Sequence, residues 1–123
     1  MPLEVYQQWQ KSGCNYGLYK NEQLVAVWSL VYESTTDWDN LLGKCVLWLH
    51  ALAINPLYRG QRIGVQAIRM IVEQLTEPLY LLCVDGFLPI YYARLDFVVV
   101  QADTKSYAGH DYRMVLMRYE PPT

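Results

Sequence analysis

The sequence predicts an α/β domain, a central mixed sheet with helices packed on it, and three observations carry that prediction. The stretch "CVLWLHALAI", residues 45 to 54, is almost continuously apolar, which suits a strand covered on both faces better than an edge strand. Directly after it, Val65, Ile68, Ile71, Val72 and Leu75 recur at helical spacing with Gln66, Arg69 and Glu73 between them, an amphipathic helix over 64 to 76. Further strand-like segments flank this strand and helix on both sides, so a sheet with helices laid on it accounts for the order.

From the start of the chain, "PLEVYQQWQ" has room for one short helix. "YGLYKNEQLVAVWSLVYE" reads as two strands, 16 to 19 and 24 to 33, around the polar turn "KNEQ". Residues 34 to 44 are polar and loop-like. Asn55-Pro56 ends the buried strand, and after the amphipathic helix "PLYLLCV" returns as a strand. "LPIYYARL" fits a short helix with Pro89 in its first turn, and "FVVVQA" and "YRMVLMRYE" read as strands of a closing hairpin.

Composition narrows the function. With 123 residues, 53% of them hydrophobic, the chain is expected to form a single domain, 1–123, with a substantial core. A net charge of -2 gives no electrostatic reason for a nucleic-acid or anionic-membrane partner. No apolar run reaches the roughly 18 residues of a membrane span, and the start lacks the basic and apolar regions of a signal peptide, so a soluble cytoplasmic protein is expected. Cys14, Cys45 and Cys83 are too far apart to suggest a disulfide framework or a metal site, and buried thiols are expected.

The chemistry concentrates in "HALAINPLYRGQRIGVQAI", His50 to Ile68. A buried strand feeding a turn and then a helix presents unpaired backbone N–H groups at the positive end of a helix dipole, an anion site. Gly60 and Gly64 let backbone approach the ligand, and a pyrophosphate is the matching guest. An ordinary helix start has the same appearance.

The same residues resemble the acetyl-CoA-binding signature of the GCN5-related N-acetyltransferase (GNAT) superfamily, Arg/Gln-x-x-Gly-x-Gly/Ala. Arg59 and Gly64 take its first and last positions, and Arg62 stands where the middle glycine would be. That replacement is expected to work only if Arg62 avoids positive φ and turns its side chain outward or toward a phosphate. "LPIYYARLDF" is similar to the family's Tyr-x-x-x-Gly-Phe, with Asp96 for the glycine, and the likeness covers about residues 16 to 119. It implies a GNAT-like, mostly antiparallel central sheet flanked by helices, with a shortened N-terminal part, and acetyl-CoA as acyl donor. It also implies that the backbone of Leu52, Ala53 and Ile54 pairs with the pantetheine amides where the sheet splays. Gly60, Gln61, Arg62, Ile63, Gly64 and Val65 then hold the pyrophosphate, Arg59 or Arg62 adds charge, and Arg94 lies toward the adenosine end.

"LWLHALAINPLYRGQRIG" and "LLCVDGFLPIYY" also resemble segments of arylalkylamine N-acetyltransferases, which carry two histidines on this strand. His50 matches the second and Trp48 stands at the first. By that likeness His50 is the base for the attacking amine, directly or through water, and alternation puts Trp48, His50, Leu52 and Ile54 on one face. A hydrogen-bonded core histidine is the other reading, and Glu33 is a second acid–base candidate. The acid for the leaving thiolate is Tyr92 counting back from Phe97, or Tyr91 counting forward from Pro89, and Tyr92 is favoured. Trp28, Trp38 and Trp48 suit either an aromatic-amine pocket or the core. The short front end implies an open acceptor cleft or a wall borrowed from a second copy in a homodimer. The resemblance leaves two functions: acetyl transfer to a small-molecule or peptide amine by direct attack in a ternary complex, or a catalytically inactive acyl-CoA-binding or interaction module.

Overall fold

The computed structural model describes residues 3–10 and 13–122. One seven-stranded sheet runs in the order β1-β2-β3-β4-β5-β7-β6, from β1 (Leu3–Gln10), β2 (Gly13–Lys20), β3 (Gln23–Ser34), β4 (Cys45–Ile54), β5 (Leu79–Val84), β6 (Val98–Tyr107) and β7 (His110–Tyr119). Among the described residues two α-helices lie on it, α1 (Ile63–Glu73) and α2 (Phe87–Ala93). All neighbouring strands are antiparallel except β4 and β5. The α/β class with a mostly antiparallel sheet is therefore what the chain forms.

The front end differs from the expected short helix. Leu3–Gln10 is an edge strand paired with β2 from Leu3↔Lys20 to Gln10↔Gly13, while residues 2, 11 and 12 lie outside the described residues. Local propensity had no way to register the partner strand whose ladder fixes this segment. Only positions 11 and 12 separate β1 from β2, so no helix pair intervenes, which is the shortened front end in physical form.

The sheet buries both faces unequally. On the face covered by α1 and α2, Leu18, Val25, Trp28, Leu47, Leu49, Ile68, Leu81 and Phe97 form the larger core. On the opposite face Trp38 and Leu41, from the segment between β3 and β4, close over Val31, Trp48, Tyr80 and Leu116. Lys105 seals that cover: its Nζ lies 4.7 Å above the Trp38 ring and donates to the Asp37 carbonyl at 2.6 Å. Trp28, Trp38 and Trp48 are 3%, 1% and 4% exposed, so all three side chains are packed in the cores. Cys14 and Cys83 are buried as expected, but Cys45, at the first position of β4, is exposed.

Two irregularities interrupt the middle of the sheet. β4 and β5 pair only at Leu47↔Leu79 and Trp48↔Tyr80, after which the strands part. In β4 the register with β3 slips between Ser29↔His50 and Val27↔Ala53, one extra residue on β4, and Ala51 sits there with φ 57. This is a β-bulge.

Candidate active site

The bulge at Ala51 overturns the expected single face for Trp48, His50, Leu52 and Ile54. Alternation holds only while each residue advances the pleat by one, and one inserted residue inverts everything after it. His50 stays with Trp48, on which its ring stacks at 6.1 Å, whereas Leu52 and Ile54 pack into the opposite core beneath α1. β4 thus serves both sides of the sheet, the histidine on one and the residues expected to meet the cofactor on the other.

On the helical face, Leu52, Ala53, Ile54, Arg59, Gly60, Arg62, Ile63, Gly64 and Val65 line one groove of about 610 Å³. Gln61 alone of the expected contact residues does not line it, and its side chain meets Lys20 Nζ at 3.5 Å instead. Tyr58 and Tyr91 complete the wall. Tyr58 directly precedes the signature, but nothing in the sequence said that the 3-10 turn Pro56–Tyr58, held by Asn55, would aim it here.

The groove fits the diphosphate end of a nucleotide thioester. The first N–H groups of α1 have no intrahelical acceptor, no side chain caps them, and no acidic residue occupies the first turn, so the end is left to an external anion. Arg62 is the N-cap, at φ 61 and ψ 26, contrary to the expectation that it avoids positive φ. Asp96 shares the condition, at φ 72. Both are positions where the family signature carries glycine, and the left-handed backbone is the reason: an L-residue there costs about 1–2 kcal/mol that glycine avoids. Where β4 leaves β5, the β4 backbone on that side has no strand partner, which leaves 52 to 54 free to pair with an amide-bearing ligand.

The two tyrosines of α2 separate by depth. Tyr91 stands at the mouth, against Gly64 and the start of α1. Tyr92 lies behind it, packed edge-on to Phe97 at 5.6 Å and to Tyr91 at 5.3 Å, and it is not part of the open groove wall. Burial, then the neighbouring Cys83 and Tyr91, push its phenol up to about 12. Burial, followed by Asp85, raises the Cys83 thiol to about 11. Burial also raises Tyr91.

On the opposite face His50 Nε2 lies 3.6 Å from Glu33 Oε2, both side chains roughly half exposed. The Glu33 carbonyl accepts from Trp48 Nε1 at 3.1 Å, which fixes the strand end under the pair. Ser29, the cross-strand partner of His50, donates to Asn15 Oδ1 at 2.5 Å. His50 is thus a half-exposed surface histidine beside a carboxylate, not a core residue.

The sequence model described as the acetyltransferase (GNAT) family matches residues 1–89. Among solved structures, an IAA acetyltransferase from Bacillus cereus superposes with a TM-score of 0.69 at 11% identity, over 97% of this chain and 99% of that one. A GNAT family acetyltransferase from Elizabethkingia anophelis, solved with acetyl-CoA bound, gives 0.67 at 11% identity over 96% and 97%. Arabidopsis thaliana NAA60, in complex with a bisubstrate analogue, gives 0.69 at 15% identity over 89% and 76%. Comparison with curated protein sequences found no match. A family match over most of the length, on a sheet whose strand order and splayed pair make the same fold, means that the chain belongs to the acetyltransferase (GNAT) family, enzymes whose acyl donor is acetyl-CoA.

Proposed function

We propose that this chain transfers the acetyl group of acetyl-CoA to a primary amine by direct attack in a ternary complex, the donor entering from the helical face and the amine from the face of His50. The observation that carries the proposal is the parting of β4 and β5 beyond Trp48 and Tyr80: it opens the sheet between the donor groove and the His50–Glu33 pair.

In this reading Leu52, Ala53 and Ile54 offer backbone to the pantetheine arm, while Arg59, Gly60, Arg62, Ile63, Gly64 and Val65 surround the pyrophosphate. Bound acetyl-CoA supplies an activated acetyl thioester. His50 takes the proton of the ammonium, directly or through a water, and Glu33 holds the imidazolium that forms. The bulge leaves Ala51 and Leu52 without a register partner on β3, which supports a backbone N–H there as donor to the developing oxyanion. Tyr92 remains the acid for the thiolate. Its side chain lies beside Cys83, three residues along β5 from the last residue paired with β4 and so level with the bulge, while Tyr91 stands at the phosphate end. The acceptor is a small-molecule or peptide amine, which enters an open cleft or one walled in part by a second copy in a homodimer.

Thiol release from acetyl-CoA across an amine panel tests it. Amine-stimulated thiol release with at least one amine is the expected result. Tight acetyl-CoA binding with no turnover for any amine would favour a silent acyl-CoA-binding module.

A further inference from the structure

We infer that the acceptor is a small monoamine with an uncharged body, seated in a groove over β1, β2 and β3 on the His50 face; this rests on the acceptor side proposed above. The groove encloses about 410 Å³ and begins at the reacting end. Ala51, the bulge residue next to His50, lines it, and so does Ser29, which pairs with His50 across the strands. From there it runs outward across Val27 and Gly17 toward Tyr6 and Tyr19. Gly17 pairs with Tyr6 on one side and Val27 on the other, and the side chains of Leu24 and Tyr19 lean over it, 3.1 and 3.3 Å from where its β-carbon would stand, so apolar and phenolic groups wall the outer part of the groove. Tyr6 is 63% exposed, with its ring available as a wall.

Charge decides what fits. Glu33 stands beside His50 at the inner end and attracts the ammonium. Among the described residues that line the groove none is Asp, Glu, Lys or Arg; its polar side chains are the amides, hydroxyls and phenols of Gln8, Asn15, Ser29 and the tyrosines. At its outer end Glu4 stands against Tyr6 and Tyr19, four residues along β1 from Gln8, which is level with His50. At ~3.4 Å per residue it lies ~14 Å along from the level of His50, in addition to three strand spacings of ~4.8 Å sideways from β4. A second ammonium, a carboxylate or a phosphate on a short acceptor would therefore lose water without gaining a partner, whereas an alkyl or aryl body would not. Val27, 38% exposed and lining the groove, supplies apolar contact for such a body.

The test is a matched series on the full chain: hexylamine, 6-aminohexanoate and 1,6-diaminohexane, which share a reacting amine and a six-carbon chain and differ only in what the far end carries. With acetyl-CoA saturating, kcat/KM is expected to be at least ~10-fold higher for hexylamine than for either charged relative. Val27→Lys should shift preference toward 6-aminohexanoate, and Val27→Asp toward 1,6-diaminohexane, with the KM for acetyl-CoA unchanged in both. If either variant fails to fold, the series on the unsubstituted protein decides alone. Equal or higher kcat/KM for the charged acceptors, or turnover confined to a peptide N-terminus, would overturn the inference while leaving the donor reading intact. The thermal shift with acetyl-CoA alone reports separately on the donor groove: acetyl-CoA that binds while none of the three amines is acetylated also overturns the acceptor assignment.

Discussion

The hydroxyl of Tyr91 lies 2.9 Å from the point that a β-carbon on Gly64 would occupy, so the start of α1 and the wall of α2 meet with no space for even a methyl group. Two elements far apart in sequence close the donor groove through this contact. Gly64→Trp is expected to abolish acetyl-CoA binding by calorimetry while circular dichroism stays native. Gly64→Ala should lose affinity modestly, and Tyr91→Phe in the same chain should recover part of the loss, because the clashing atom is gone. Purely additive effects would mean that this contact does not shape the groove.

The depth difference between the two tyrosines splits their kinetic signatures. Tyr92→Phe should lower turnover by ~10²-fold with little change in KM, since an acid that acts only as the thiolate leaves stabilises the transition state alone. Tyr91→Phe should instead raise the KM for acetyl-CoA with kcat near normal. The opposite pattern would transfer the acid role to Tyr91.

His50→Gln should reduce turnover and flatten the acidic limb of the pH–rate profile, with acetyl-CoA affinity preserved, because its side chain is on the face away from the donor groove. Glu33→Gln should weaken the same limb less, as the carboxylate is about half exposed and water screens it. An unchanged pH profile for both variants would remove the pair from the mechanism.

Asp96, at φ 72, offers a backbone test. Replacement by glycine relieves left-handed strain but adds chain entropy to the unfolded state, so Asp96→Gly should be neutral to stabilising by up to ~1 kcal/mol. Asp96→Val should destabilise by ~1–2 kcal/mol, since a β-branched residue fits that region worst. Urea unfolding of the two variants side by side gives the sign.

Stability should also fall at high pH. Cys83 and Tyr92 hold their protons more tightly in the folded chain, to about 11 and about 12, than in the unfolded one, where ordinary values are about 8.5 and 10. Their contribution is complete below the unfolded values and is lost as pH rises through the folded ones, because the unfolded chain then binds fewer protons. Melting temperature should therefore decline between about pH 9 and 12, and Tyr92→Phe should remove the upper part of that decline. Identical slopes for variant and parent would show that the phenol is not held back by burial.

What the sequence determined by itself is what depends on neighbours along the chain. The apolar run 45 to 54, the helical period after Gly64 and the glycines of the turn are local signals, and they located β4 and α1, while the likeness to the acetyl-CoA signature picked out the groove-lining residues from Leu52 to Val65 other than Tyr58. The tertiary structure decided everything that depends on a partner strand. Leu3–Gln10 is a strand because β2 pairs with it, and Trp38 is buried because Lys105, sixty-seven residues later, covers its ring. Most consequential is the extra residue at Ala51. Nothing in "LHALAI" announces it, for a bulge is a mismatch between two strands and a single strand cannot record it. That mismatch sends His50 to one face and Leu52 and Ile54 to the other, so that the proposed base and the proposed donor groove lie on opposite sides of the gap where β4 and β5 part.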